Sequence, residues 1–183
     1  MENRRILLHA CCAPCSIKCV EVLEQEGIVP TLFWYNPNIH PFTEYESRRE
    51  TLRTYAETVG LDVVWDEALY GLRCFLTEIG SDFDARCEVC YRMRMEAAAR
   101  YAQENGFDGF STTLQISPYQ DQERLCALAS RAAERYGIEF LRRDFRPWFR
   151  AGQQAARDMG LYRQKYCGCI FSEEERYKKN LTQ

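Results

Sequence analysis

The sequence has no long apolar run, only two histidines and no excess of positive charge. No apolar stretch approaches the roughly 20 residues that a membrane-spanning helix needs, so we expect no membrane span. The start, MENRRILLHACC, returns to polar residues too soon for a signal peptide, and we expect a cytoplasmic protein. The net charge of −3 argues against a uniformly basic nucleic-acid-binding protein. His9 and His40 are not spaced as a catalytic pair.

Cysteine is present, but not as a disulfide framework. Ten cysteines in 183 residues fall below the density of small disulfide-rich scaffolds. In the reducing compartment expected here, thiols act as metal ligands or redox groups more often than as structural cross-links.

Apolar segments alternate with helical ones along most of the chain. Strands are predicted over residues 5–10, 29–35, 61–67, 107–113 and 138–145, and helices over residues 16–27, 43–60, 86–106 and 121–137. This alternation predicts an α/β fold with a Rossmann-like parallel sheet between two helical layers. We expect one domain over 1–183, with a core over about 1–145 and a basic, aromatic, helical C-terminal region over about 146–183.

The first predicted strand leads into ACCAPCS, a turn without glycine. In nucleotide-binding proteins of this architecture, the same turn carries a glycine-rich phosphate loop. Thiols in place of free backbone amides make a poor phosphate cradle and a good metal site.

Cys87 and Cys90 are spaced to project from one face at the start of a helix, and with Cys11 and Cys12 they give four thiolates. Four thiolates suit tetrahedral zinc or an iron–sulfur cluster. Adjacent cysteines would strain a zinc knuckle, so the spacing favours iron–sulfur. Cys15 is close enough to bind a second metal ion, or it lies on the inner side of the helix start.

Cys167 and Cys169 flank Gly168 and form a third thiol site. A Cys-x-Cys pair can close a strained, reducible disulfide that relays electrons. The alternatives are further metal ligands or small residues in a turn. We interpret the three other cysteines as small core residues: Cys19, Cys74 and Cys126.

A local basic stretch lies on this otherwise acidic chain. Between residues 141 and 166 there are seven basic and two acidic residues, interleaved with aromatic ones. The pattern fits the docking of RNA, through phosphate attraction and base stacking, or else a solvated helix face with core aromatics. We expect this stretch and Arg92 or Arg94 to hold phosphates; its candidate residues are Arg142, Arg143, Arg146, Arg150, Arg163 and Lys165.

Two further loops follow predicted strands at the same sheet edge. NPNIHP supplies His40 and two asparagines that can bond a base or a diol, Asn36 and Asn38. A loop histidine with satisfied hydrogen bonds is the commoner case, and we expect His9 to be a packing or hydrogen-bonding residue. STTLQISPYQ supplies hydroxyls, including that of Tyr119, for a substrate or for helix capping.

In this order, HACCAPCS, NPNIHP, ARCEVCYRMRME, STTLQISPYQ and RQKYCGCIFS resemble the cobalamin-independent epoxyqueuosine reductases over nearly the whole chain. The resemblance implies a fold similar to the adenine-nucleotide alpha-hydrolase type. It also implies the last step of queuosine formation, removal of the epoxide oxygen from epoxyqueuosine at the wobble position of tRNA. An external one-electron donor is then needed.

By position, the resemblance implies that Cys11, Cys12, Cys87 and Cys90 hold a [4Fe-4S] cluster with a further iron ion beside it. Cys15 falls where relatives need not have cysteine. Cys167 and Cys169 match a Cys-Gly-Cys element with a redox role, and we hypothesise that they assist electron delivery. Proton sources would be His40, Tyr119 or a metal-bound water.

Three other functions stay open from the residues alone. A zinc-stabilised RNA-binding module would use the same four cysteines structurally. A thiol–disulfide oxidoreductase would rely on Cys167 and Cys169 without iron. A nucleotide-activating RNA-thiolation enzyme ranks last, because the glycine-rich loop is absent.

Overall fold

The core of the protein is a five-stranded, wholly parallel sheet. The computed structural model describes residues 4–66 and 70–178. The strand order is β3-β2-β1-β4-β5, which confirms the predicted Rossmann-like sheet. The strands are β1 Ile6–His9, β2 Thr31–Trp34, β3 Val63–Trp65, β4 Gly109–Thr112 and β5 Glu139–Phe140.

Helices cover both faces of the sheet, as parallel strands with helical crossovers require. On one side α1 packs against α2 and α6, and on the other α4 packs against α5. The helices are α1 Ala13–Gln25, α2 Phe42–Val59, α3 Leu72–Ile79, α4 Arg86–Glu104, α5 Gln122–Tyr136, α6 Phe149–Asp158 and α7 Ile170–Tyr177. Among the described residues, no helix is long and apolar enough to cross a membrane.

The central strand β1 positions the site. Every residue of β1 is buried, with Leu7 paired to Thr31 of β2 on one side and to Phe110 of β4 on the other. The chain leaves β1 toward one side of the sheet and β4 toward the other, so a crevice opens between their carboxyl ends. The turns after β1 and β4 therefore face each other across that crevice.

The start of α1 differs from the prediction. The helix begins at Ala13, not after Ser16, because Pro14 is accommodated in the first turn of a helix. Cys12 is the extended N-cap residue, and the Ser16 hydroxyl donates to the Cys12 carbonyl at 2.8 Å. The predicted helix end at Gly60 is confirmed by its left-handed conformation, with φ of 72°.

All five strands are shorter than predicted, and β5 and β3 differ most from the prediction. β5 was expected over residues 138–145, but the chain leaves the sheet after Leu141, whose amide donates to the Phe110 carbonyl at 2.8 Å. The Arg143 amide then bonds the Gln115 side chain at 2.9 Å instead of a strand neighbour. The third strand was expected over 61–67; Glu67, like residues 179–183 of the C-terminal region, lies outside the described residues.

Candidate functional site

Three thiols meet in the turn between β1 and α1. The Sγ atoms of Cys11, Cys12 and Cys15 all lie within 4.8 Å of one another, and all three side chains are buried. Cys11 and Cys12 are brought together by the extended N-cap, and Cys15 follows in the first turn of α1. We call this group the three-thiol cluster; it can bind a metal ion, and Cys15 belongs to it with the two adjacent cysteines.

The position of the three-thiol cluster favours negative charge. It lies at the N-terminal end of α1, where the helix dipole and free amides stabilise a thiolate. Hydrogen bonds from the Cys12 and Cys15 thiols lower the pKa of Cys11 well below its usual value. Burial raises the pKa of Cys12. The hydrogen bond between Cys15 and Cys11 raises the pKa of Cys15. Of the three thiols, Cys11 is therefore the one that ionises most easily.

Residues far away in sequence close over the three-thiol cluster. Thr113, just after β4, donates its hydroxyl to Cys11 Sγ at 3.4 Å and accepts the Cys11 amide at 3.2 Å. The Gln164 side-chain amide donates to Cys12 Sγ at 2.9 Å and reaches Cys15 Sγ at 3.6 Å. Its Oε1 atom is buried and has no hydrogen-bond partner in the described chain. Sequence reasoning did not single out Gln164.

Cys87 and Cys90 lie in the first turn of α4, and the structure does not place them in the three-thiol cluster. Cys90 is buried, and the guanidinium of Arg94 contacts its sulfur at 3.0 Å. Burial raises the pKa of Cys90 to about 12, whereas the charge of Arg94 lowers it. The charges of Cys167 and Cys169 also act on both thiols of α4. The 166–169 segment is therefore close enough to the start of α4 for its thiols to act on Cys87 and Cys90 through their charge.

Arg94 was expected to hold tRNA phosphates, and that expectation is wrong. Its side chain is 2% exposed, donates to Asn36 Oδ1 at 3.2 Å and to the Cys90 sulfur, and leaves its Nε buried and unpaired. Asn36 in turn donates to the Ala10 carbonyl, so it has a structural role instead of the expected contact with a base or diol. Arg94 places a positive charge among the thiols.

A buried ion pair on α2 anchors the Cys-Gly-Cys segment, which we call the 166–169 loop. Arg48 is 1% exposed and donates to Glu44 Oε1 at 2.6 Å. Its other two nitrogens donate to the carbonyls of Tyr166 and Cys167, both at 2.9 Å. Gly168 adopts φ of 144°, and an added Cβ would lie 3.2 Å from the Arg48 guanidinium. The loop is therefore seated against α2.

His40 also holds the 166–169 loop in place. Its amide donates to the Gly168 carbonyl at 2.7 Å, and its carbonyl accepts the Tyr166 hydroxyl at 2.6 Å. The ring is fully buried, with Nε2 bonded to the Pro37 carbonyl and Nδ1 accepting from the Ile170 amide. Burial lowers the pKa of His40 to about 4. This placement favours the satisfied loop histidine over a proton donor.

A cavity of about 380 Å³ lies above the three-thiol cluster. Cys11, Cys15 and Cys167 line this cavity, which therefore reaches both the three-thiol cluster and the 166–169 loop. The Cys167 sulfur accepts from the Gln120 side chain at 3.2 Å. Tyr119, one of the expected proton sources, also lines the cavity and is 84% exposed; His40 does not line it.

Of the other cations expected to bind tRNA phosphates, some form ion pairs within the protein and some do not. Arg143 is paired with Glu26 at 3.0 Å, Arg146 with Asp144 at 2.7 Å and Arg92 with Glu78 at 2.8 Å. No ion pair within the described parts of the chain involves the remaining four, all of which are exposed: Arg142, Arg150, Arg163 and Lys165.

The remaining sequence predictions divide as follows. His9 is buried and bonded to Thr112 and to the Tyr35 carbonyl, which confirms a packing and hydrogen-bonding role. Cys19 and Cys126 are buried as expected. Cys74 was expected in the core but is exposed, because α3 buries Phe75 and Ile79 and turns Cys74 outward.

The residues present fit a thiolate-bound metal. Soft thiolate sulfur is the ligand preferred by zinc and by iron–sulfur clusters, and three such atoms converge here in a buried position. The unpartnered Oε1 of Gln164 and Nε of Arg94 belong to side chains that contact these thiols or Cys90, as expected of a site prepared for a charged group.

The sequence is similar to those of known proteins along most of its length. The sequence model of the family described as "Epoxyqueuosine reductase QueH" matches residues 6–175. The protein named "Epoxyqueuosine reductase QueH" from Dehalococcoides mccartyi is 35% identical over 175 residues, covering 96% of each chain. The protein of the same name from Thermotoga maritima is 34% identical, covering 96% of this chain and 93% of its own.

A solved structure shares the fold. The predicted subunit of tRNA methyltransferase from Methanocaldococcus jannaschii superposes with a TM-score of 0.51 at 11% identity, covering 87% of this chain and 90% of its own. At this identity the likeness concerns the arrangement of strands and helices alone.

Proposed function

The chain belongs to the epoxyqueuosine reductase QueH family, and we propose that it converts epoxyqueuosine to queuosine at the wobble position (34) of tRNA by iron–sulfur-dependent reduction. Membership of this family makes the chain an oxidoreductase of tRNA modification. The reaction cleaves both C–O bonds of the epoxide, forms a carbon–carbon double bond and releases the oxygen as water. It consumes two electrons, from an external one-electron donor, and two protons.

One observation carries the proposal: buried thiols line the floor of an open cavity at the carboxyl ends of β1 and β4. In open parallel sheets this crevice is the usual ligand site. We assign Cys11, Cys12 and Cys15 as metal ligands, with Cys87 and Cys90 as the further thiolates for a [4Fe-4S] cluster and its adjacent iron. When bound, these groups supply single electrons and a Lewis acid for the leaving oxygen.

The side chains around the thiols position and stabilise the sulfur atoms. Gln164 and Thr113 donate hydrogen bonds to the three-thiol cluster, and Arg94 brings a positive charge to Cys90. Hydrogen bonds and charge near sulfur ligands tune both metal affinity and reduction potential. These residues therefore favour retention of a negatively charged centre.

The Cys-Gly-Cys pair is proposed to assist electron delivery. Cys167 is exposed and lines the cavity, whereas Cys169 is buried at the start of α7 and accepts the Ser172 amide. Arg48 fixes the backbone between them. For the protons, Tyr119 and water entering the open cavity have access to the substrate, which His40 lacks.

For tRNA we propose contact through the cations that have no ion pair in the described chain. Arg142, Arg150, Arg163 and Lys165 are exposed and free to meet phosphate. Replacing Arg150 by Ala should weaken tRNA binding and lower the slope of log affinity against log salt by about 1. The matched change Arg143→Ala removes a cation already paired with Glu26 and should have a smaller effect. Binding that does not depend on salt would contradict this interface.

The decisive experiment measures metal content and activity together. Anaerobically prepared protein should contain iron and acid-labile sulfide, show a reducible chromophore, and convert epoxyqueuosine in tRNA when given a chemical reductant. Cys12→Ser should lose both cluster and activity. Cys19→Ser changes a buried thiol of the same helix outside the three-thiol cluster and should keep both.

The alternatives have their own signatures. Zinc alone after reconstitution with iron and sulfide, together with tRNA binding, would indicate a zinc-stabilised RNA-binding module. Thiol–disulfide exchange that depends on Cys167 and Cys169 without iron would indicate an oxidoreductase of another kind. Either result would refute the proposed reduction.

A further inference from the structure

The wall of the cavity carries an aromatic pair, in which Tyr119 is exposed and Phe149 is half-buried. Tyr119 is 84% exposed, and its ring centroid lies 5.8 Å from that of Phe149, with the rings almost perpendicular at 83°. Both side chains line the cavity. Because the contact is edge to face and Tyr119 is exposed, flat surface of the Tyr119 ring is left uncovered beside Phe149. This surface is available to a planar ligand.

The exposure of Tyr119 does not come from a loose loop. The Tyr119 amide donates to the Ser117 hydroxyl at 3.2 Å, and the Gln120 amide donates to the Ser117 carbonyl at 3.4 Å. The Gln122 side chain holds the same carbonyl at 2.9 Å and the Leu114 carbonyl at 3.2 Å. These bonds hold the backbone that carries the ring, which limits the backbone entropy lost when a ligand stacks on it.

Three cations without an ion pair lie in the lining of the cavity or next to Phe149 in sequence. Lys165 and Arg176 line the same cavity, and Arg150 follows Phe149 at the start of α6. Within residues 4–66 and 70–178, none of the three has an ion pair. Flat aromatic surface flanked by cations is the combination with which proteins bind single-stranded nucleic acid, through base stacking and phosphate contacts.

The same cavity is lined by the aromatic pair and by thiols of the three-thiol cluster. Its volume of about 380 Å³ falls in the range of roughly 300 to 1,000 Å³ found for small-molecule sites. Its lining combines Cys11 and Cys15 of the three-thiol cluster with the aromatic pair. A ligand that has both a planar ring and a reactive substituent matches this combination.

We propose that Tyr119 and Phe149 form a stacking subsite for the wobble nucleobase of a single-stranded tRNA loop, with the substituent of that base directed toward the three-thiol cluster. This inference rests on the proposed function and adds to it the orientation of the substrate. Tyr119 accordingly binds the base by its ring, and its hydroxyl is not required for binding.

A double-mutant cycle between protein and RNA tests the subsite. The probe is a fluorescently labelled anticodon stem-loop RNA, either with an intact guanosine or with an abasic residue at the wobble position. Tyr119→Ala should weaken binding of the intact RNA about 5- to 150-fold, the range for loss of one stacked base. It should change binding of the abasic RNA less than about twofold, because the stacked base is already missing.

Two protein controls separate stacking from other causes. Tyr119→Phe keeps the ring and should bind the intact RNA within about twofold of wild type. Phe42→Ala removes another exposed ring, on α2 and outside the cavity, and should behave like wild type. Circular dichroism of each variant checks that the fold is unchanged.

The outcomes distinguish the two proposals. Equal losses for intact and abasic RNA in Tyr119→Ala, or no loss for either, would overturn the stacking subsite while leaving the reductase proposal in place. Failure of the wild-type protein to bind either RNA would overturn both. Coupling to a loop base other than the wobble base would refute the proposed orientation.

Discussion

The guanidinium of Arg94 lies 3.0 Å from the sulfur of Cys90, and both side chains are buried. A buried cation needs a negative partner, because removing it from water costs several kcal/mol. No carboxylate pairs with Arg94 anywhere in residues 4–66 and 70–178. Its surroundings offer the thiols of Cys90, Cys11 and Cys167 instead. Of these thiols Cys11 has the lowered pKa, so it is the one whose negative charge Arg94 can balance.

Loss of this charge should make the proposed metal centre harder to reduce. In protein reconstituted with iron and sulfide, Arg94→Met should lower the reduction potential by on the order of 100 mV. A unit charge several ångströms away contributes about 2 kcal/mol at the effective dielectric constant of proteins, and about 59 mV corresponds to 1.4 kcal/mol for one electron. Arg94→Lys should restore part of the shift. Equal potentials for wild type and Arg94→Met, measured by redox titration, would remove Arg94 from the electrostatics of the centre.

Cys15 should be a metal ligand, although a relative need not have cysteine there. Its sulfur lies within 4.8 Å of those of Cys11 and Cys12. Cys15→Ser should weaken cobalt or zinc binding to the metal-free protein at least about tenfold, since even residues that only support ligands change affinity by that much. Competition with a chromophoric chelator measures this. Cys19→Ser, one turn further along α1, is the control and should bind normally; equal loss in both variants would indicate a general packing effect.

The Arg48–Glu44 pair should hold the 166–169 loop in place. Arg48→Met leaves the buried Glu44 carboxylate without its cation and should destabilise the protein by about 3 to 5 kcal/mol, measured by urea unfolding. The same variant should expose the Gly168 amide to hydrogen exchange and speed alkylation of Cys167. Lys178→Met removes one partner of an exposed pair at 3.7 Å with Glu174 and should cost at most about 1 kcal/mol. Similar costs for the two variants would contradict a buried anchor.

The buried ring of His40 should make the protein less stable in mild acid. Its pKa is about 4 in the folded state and 6.5 in the unfolded chain. Between these values the unfolded chain takes up a proton that the folded protein does not. The contribution of the neutral ring to the free energy of unfolding is therefore complete above pH 6.5 and is lost as the pH falls toward 4. At pH 5 the loss amounts to about 2 kcal/mol.

His40→Gln keeps a polar side chain that can still donate to the Pro37 carbonyl. The free energy of unfolding should fall between pH 7.5 and pH 5 by about 2 kcal/mol more in wild type than in this variant. Comparing the two proteins cancels contributions that they share, including acid release of metal. An identical pH dependence would show that the ring is protonated without cost in the folded state.

The sequence was sufficient for the layout of the molecule. Apolar strands alternate with amphipathic helices, and this local pattern forces a parallel sheet covered on both faces. The carboxyl ends of such strands share one edge, so the thiols after β1 and the polar loop after β4 could be assigned to the same crevice before any contact was known. The absence of glycine from the first turn indicated a thiol site there in place of a phosphate loop.

Only the tertiary structure decided which side chains meet at that edge. Cys15 joins Cys11 and Cys12 because Pro14 allows the helix to begin at Ala13, a boundary that local patterns place poorly. Arg94 and Arg48 look like surface cations in a charged sequence, yet both are buried. Gln164 contacts Cys12 across 152 positions of chain.

The physical reason for this difference is the distance along the sequence over which each interaction acts. Helix and strand preferences depend on neighbouring residues and can be read in order along the chain. Contacts such as Gln164 with Cys12, Arg48 with the 166–169 loop and Tyr119 with Phe149 depend on how completed elements pack. The sequence by itself determined the sheet and the edge that carries the chemistry, whereas packing decided which thiols lie together and which cations remain free.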